Sequence, residues 1–153
     1  MKILHTKIPP PIIALLTVLA MWPLKTVLPL HIFDHPALFY TGIVIICIGL
    51  SLDLVSLFNF IKNKTTINPV SPHKAAHLVI SGFYRYTRNP MYLGLLLVLT
   101  GTAMLFATAS AFLLLPLFVI AINTLQIKPE EAALETLFGE QYTHYKSQVN
   151  RWI

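Results

Sequence analysis

The longest uninterrupted pattern in the chain is apolar. From Asn89 to Ile127 no residue is charged, a run of thirty-nine. At about 1.5 Å per helical residue this is close to twice the roughly 30 Å hydrocarbon thickness of a bilayer, so two helices fit better than one. The small and polar residues Ala107-Thr108-Ala109-Ser110 interrupt the run and predict a tight hairpin between spans at 91–106 and 109–127. Upstream, 37–60 is apolar with Asp53 as its only charge. A further stretch, 8–30, contains Lys25 and is punctuated by Pro9, Pro10, Pro11, Pro23 and Pro29. The pattern predicts about four spans. Lys2 and Lys7 before the first stretch give it the outline of a signal peptide, but no small-residue cleavage pattern follows Leu19-Ala20-Met21-Trp22, so it reads as a retained anchor.

After Pro129 the pattern becomes charged and amphipathic. Leu134, Phe138, Tyr142, Tyr145, Val149 and Trp152 recur every three or four residues, as one face of a helix would. Glu130, Glu131 and Glu135 fall in its first turns and Lys146 and Arg151 near its end, the order that the helix dipole favours. Gly139 interrupts it. The expected fold is all-α: one multi-pass transmembrane domain over 1–153 with a C-terminal amphipathic segment, 129–153, on the cytoplasmic side. Orientation follows from the basic residues. The 61–90 loop carries Lys62, Lys64, Lys74, Arg85 and Arg88 and no acid, whereas His31–Pro36 carries Asp34 and no Lys or Arg. The loop and both termini are therefore expected in the cytoplasm, and in a bacterium the membrane is the inner one.

Composition sharpens this picture. The chain is 56% hydrophobic and 11% charged, where ordinary soluble chains carry roughly 25% charged residues. A soluble domain, a disordered chain and a disulfide-stapled module are all excluded, the last because Cys47 is the single cysteine. The net charge of +5 suits a membrane surface better than nucleic acid, because so few basic residues are present. Cys47 lies mid-span and reads as a packing residue. His73 and His77 are four apart, but no further acids or cysteines accompany them, so no metal site is expected. Asp53 is costly inside a span. It is either a functional intramembrane group or one placed near the interface.

Polar density is highest in two segments, Thr65–Tyr92 and Lys128–Tyr145, which flank the uncharged hairpin. A hairpin returns its ends to one place, so a pocket built from Tyr84, Arg88, Asn89, Tyr92, Glu130 and Glu131 is expected there. The same residues also fit a plainer reading, in which the arginines hold the membrane interface and the glutamates cap a helix.

The run Gly82-Phe83-Tyr84-Arg85-Tyr86-Thr87-Arg88-Asn89-Pro90-Met91-Tyr92-Leu93-Gly94, a hydrophobic hairpin, Glu130-Glu131 and then Phe138-Gly139-Glu140-Gln141-Tyr142-Thr143-His144-Tyr145 resembles the integral-membrane isoprenylcysteine carboxyl methyltransferase and phospholipid methyltransferase family. The resemblance covers roughly the C-terminal half, and Thr65-Thr66 and Asn68-Pro69 through Leu78-Val79 resemble its short bacterial members. It implies a membrane enzyme that binds S-adenosylmethionine at the cytoplasmic face and methylates a lipophilic or lipidated, membrane-embedded acceptor. By the resemblance, the cofactor contacts are Ala76, His77, Leu78, Val79, Tyr84, Asn89, Pro90, Met91, Tyr92 and Glu130. Arg88 and Glu131 are positioning residues. The chemistry agrees: the cofactor needs an acid for its ammonium, donors for its carboxylate and apolar or aromatic walls.

Two positions depart from the family. Asn89 stands where the prototype has a histidine, and asparagine can donate a hydrogen bond but cannot titrate. Gln126 stands where the prenylcysteine enzymes have an arginine for the substrate carboxylate, and an amide is a weaker partner. The expected mechanism is in-line displacement at the methyl group, driven by positioning and exclusion of water. A nicotinamide-dependent membrane reductase of related helical arrangement and a non-enzymatic membrane scaffold are the alternatives. The acceptor and the oligomeric state stay open.

Overall fold

The computed structural model describes residues 8–30, 35–62 and 78–153. Helix α1 spans Pro10–Val27, α2 Pro36–Lys62 and α3 Pro90–Phe106. A continuous rod follows, made of α4 (Ala109–Phe112), α5 (Leu114–Ile122), a π-helical stretch (Asn123–Ile127) and α6 (Lys128–Phe138). Helix α7 spans Glu140–Gln148, and a 3₁₀ turn, Gly82–Arg85, precedes α3. No strand occurs among the described residues.

By length and composition α1, α2 and the rod beginning at Ala109 are each able to cross a membrane, and α3 is a shorter apolar helix of 17 residues. Their outward faces are apolar: Trp22 is 71% exposed and Phe58 64%. Such surfaces suit lipid and not water. The chain is an integral membrane protein.

The α2–α3 pair is the main packing unit, and two glycine pairs explain it. A Cβ on Gly101 would lie 2.4 Å from the Gly42 carbonyl oxygen, and one on Gly49 would lie 2.6 Å from that of Gly94. The backbones therefore touch at two points seven residues apart on each helix. Small residues allow this close approach, which is how helices associate in lipid without a hydrophobic driving force. On the other side of α3 a core of Met21, Leu99, Ala103, Phe118, Ile122 and Ile127 joins α1, α3 and α5. Trp22 and Phe106 meet edge to face at 6.1 Å.

α3 ends where Ala107 adopts a left-handed conformation (φ 54°), and Thr108 turns the chain into α4. Thr108 Oγ1 donates to the Leu30 carbonyl, tying this turn to the end of α1. The C-terminal segment differs from one amphipathic helix running on to Trp152. Gly139, at φ 51°, separates α6 from α7, and Val149 is already extended. The last residues form an extended tail because the Asn150 and Arg151 carbonyls are bonded across the molecule to Thr87, Arg88 and Asn89. Cys47 is exposed on the outer face of α2 and is not a packing residue.

Candidate active site at the foot of the hairpin

The hairpin brings the start of α3 beside the start of α6. Tyr92, one turn into α3, is buried and donates its hydroxyl to Glu130 Oε1 at 2.6 Å. Arg88 Nη2 donates to Glu131 Oε1 at 2.9 Å, with both side chains under 10% exposed. Two contacts spanning about forty residues thus join the two polar segments.

Glu131 is the centre of a triad. Arg151 approaches from the tail and donates through Nε at 3.1 Å and Nη2 at 2.6 Å. This bond holds the Arg151 guanidinium above its ordinary pKa. Two cations fully employ one buried carboxylate, which repays its desolvation.

The tail makes further bonds here. Arg88 N–H donates to the Asn150 carbonyl, while the Asn89 side-chain amide and Thr87 Oγ1 both donate to the Arg151 carbonyl. Trp152 Nε1 donates to Asn123 Oδ1 at 3.3 Å. Asn89 therefore spends its amide on the tail. Residues 150–152, outside the expected site, are part of it. Their signal in the sequence was only a periodicity shared with α7, which does not reveal a long-range partner.

Glu130 lies past the apolar part of its helix and is partly buried. Burial pushes its carboxyl up to about 7; the Tyr92 bond opposes this and the neighbouring Glu131 charge adds to it. Tyr84 sits in the 3₁₀ turn, is buried, and its carbonyl accepts the Tyr145 hydroxyl at 2.7 Å. Burial raises its phenol furthest, and Tyr145, Glu130 and Asp53 raise it further. Val79 is buried and Leu78 partly so. Pro90 is fully buried at the first position of α3, which has no side-chain cap, so the Met91 and Tyr92 N–H groups lack intrahelical partners. Ala76, His77 and His73 lie outside the described residues.

Gln126 is wholly buried in the π-helical stretch, one turn before Glu130. Its Nε2 donates to the Ile8 carbonyl at 2.7 Å, and its Oε1 has no partner among the described residues. Arg88 Nε and Asp53 Oδ1 are likewise buried with no partner among the described residues. Buried atoms of this kind are uncommon and call for an account.

A family model described as phospholipid methyltransferase matches residues 37–141, which include α2, the 3₁₀ turn, α3 and the Glu130-Glu131 pair. The chain belongs to the phospholipid methyltransferase family. Within it, the chain is 30% identical to a protein-S-isoprenylcysteine O-methyltransferase of Schizosaccharomyces pombe over 104 residues, 68% of this chain and 44% of that enzyme. It thus spans under half of the yeast enzyme's length. An uncharacterized protein of Haemophilus influenzae is 41% identical over 63 residues, which is 41% of this chain and all of that protein. No solved structure matches. The family accounts for a membrane methyltransferase.

Proposed function

We propose that this protein is an S-adenosylmethionine-dependent methyltransferase acting on a lipophilic acceptor at the cytoplasmic face of the membrane, with both termini and the 61–90 loop on that face. The observation that carries the reading is the Tyr92–Glu130 bond. It sets a carboxyl against the first turn of α3, whose opening N–H groups have no side-chain cap, and Arg88, one turn earlier, keeps a buried Nε with no partner among the described residues. An acid next to a donor cluster matches an amino acid moiety, whose ammonium suits Glu130 and whose carboxylate suits Arg88 and the α3 backbone. Tyr84, Tyr92, Leu78 and Val79 supply aromatic and apolar walls. Asn89 contributes by fixing the tail.

When bound, the cofactor supplies an electrophilic methyl group. The chain binds, orients and shields from water; no nucleophilic side chain is needed. Saturable binding of S-adenosylmethionine to the detergent-purified protein, measured by equilibrium dialysis, is the expected result. Glu130→Ala should weaken it about 10- to 100-fold, the scale of one charge-assisted hydrogen bond. Folded protein that binds no S-adenosylmethionine, or that binds NADPH in its place, sinks the reading.

A further inference from the structure

The tail that bonds the site also walls a second space. An apolar groove of about 710 Å³ runs along α2 from Ile43 to Val55, takes in Leu93 of α3, and is bounded by Trp152 and Ile153 of the tail. None of the residues read as cofactor contacts borders it.

The dimensions of the groove select an occupant. Ile43 and Val55 are twelve residues apart, about 18 Å of helix, slightly more than half of the roughly 30 Å hydrocarbon thickness of a bilayer. The Val55 end is the one toward the 3₁₀ turn, because Asn59, one turn further along α2, lies against Gly82. The groove therefore starts at the polar end of the hairpin and descends through about one leaflet, the depth of a single acyl chain. It is open toward lipid, since Ile43, Val44 and Ile48 are all at least 40% exposed. Its few polar groups are already engaged: the Ser51 hydroxyl donates to the Cys47 carbonyl and the Thr87 hydroxyl to that of Arg151. At the upper end Phe83 and Tyr86 bracket Arg85, and Tyr86 is 75% exposed, as aromatic residues at a membrane interface are. Arg85 is exposed and makes no hydrogen bond or ion pair among the described residues, whereas Arg88, Arg151 and Lys146 are all paired. An apolar channel one leaflet deep, headed by an uncommitted cation, is complementary to an acyl chain below an anionic headgroup.

We propose that the groove binds one acyl chain of an anionic phospholipid, with its phosphate at Arg85, as a resident lipid that is not methylated and that steadies the tail. The effect on the cofactor rests on the methyltransferase reading. Ile153 is 83% exposed when no chain covers it. A chain packed on Trp152 and Ile153 holds the adjoining Arg151, whose guanidinium bonds Glu131 and whose carbonyl accepts from Asn89 and Thr87. Lipid and S-adenosylmethionine then favour the same docked tail, so each tightens the other by the same factor.

The test uses the full chain in detergent carrying Trp22→Phe, which leaves Trp152 as its only tryptophan. Phosphatidylglycerol with brominated acyl chains should quench Trp152 saturably, and at lower concentration than brominated phosphatidylcholine. Arg85→Gln should remove that difference. Cys47→Phe with Ser51→Phe fills the groove from two exposed positions and should abolish saturable quenching while helical circular dichroism is kept; Ile48→Phe should give the same loss if the double variant unfolds. In equilibrium dialysis, unbrominated phosphatidylglycerol should lower the S-adenosylmethionine dissociation constant at least about fivefold. The groove-filled variant should not respond, although its lipid-free dissociation constant stays within about twofold of wild type. Quenching that rises without saturation, equal half-quenching by the two lipids, a dissociation constant indifferent to lipid, or methyl label appearing on phosphatidylglycerol overturns the proposal. Saturable quenching of a protein that binds no S-adenosylmethionine removes the methyltransferase reading and leaves the lipid site standing.

Discussion

Glu130 and Glu131 are neighbours in sequence with different employment. Glu131 satisfies two arginines, so its removal strands Arg88 in a buried position. Glu131→Ala should cost about 3–5 kcal/mol of stability, the penalty for breaking a buried pair, read as a fall in thermal midpoint in detergent. Among the described residues Glu130 holds only the Tyr92 hydroxyl, and burial raises its carboxyl from the ordinary 4.5 to about 7. Between those values the folded chain keeps a proton that the unfolded chain releases, so this group's stabilising contribution is complete below about pH 4.5 and is lost as pH rises through about 7. Glu130→Gln should therefore raise the thermal midpoint of the ligand-free protein at pH 8 and leave it nearly unchanged at pH 4.5. In the wild type, binding of an ammonium-bearing ligand should strengthen as pH rises through about 7, and that dependence should vanish in Glu130→Gln. A strained, costly acid retained at a site is a common signature of function.

Between helices, the glycine seam decides stability. Gly94→Ala and Gly101→Ala each force a Cβ into a facing backbone or carboxyl, and overpacking of this kind costs about 1–3 kcal/mol. Both should lower the thermal midpoint, and Gly94→Ala should also displace Asp53. The seam was not legible in the sequence, because four glycines among apolar residues do not show which backbones they bring together. The helical character of the chain was legible, since uncharged stretches of span length leave few alternatives, and the turn at Ala107 lies within the small-residue run 107–110. The π-helical stretch at 123–127 had no signal: Asn-Thr-Leu-Gln-Ile is compatible with an ordinary α-helix, and only its surroundings widen it. Tyr92 beside Glu130 and Arg88 beside Glu131 follow from folding an apolar hairpin, whereas the Asn89–Arg151 bond depends on a tail whose sequence resembled continued helix.

For the protein in its membrane, the tail and the helices have separable roles. Removing residues 149–153 deletes Arg151 and the carbonyls that hold Arg88, Thr87 and Asn89. Such a chain should still insert and keep its helical circular dichroism, while S-adenosylmethionine binding falls by at least tenfold in equilibrium dialysis. Sidedness has its own test. Ser147→Cys should react with a membrane-impermeant maleimide in inside-out bacterial vesicles and not in right-side-out ones, with Cys47, among lipid-facing apolar residues, staying unlabelled in both.

The double contact between α2 and α3 has a mechanical consequence. Two backbone-to-backbone points a heptad apart fix both the separation and the relative rotation of these helices, and no lipid tail fits between them. The pair is the stiff strip of the molecule. Compliance must come from elsewhere: from the rotamers lining the apolar groove along α2 between Ile43 and Val55, from α1 with its internal proline at Pro23, and from the tail held by a handful of hydrogen bonds. Entry and exit of a membrane-dissolved molecule should therefore cost side-chain and tail rearrangement and leave the seam, with Asp53 at its end, as the fixed reference against which everything else moves.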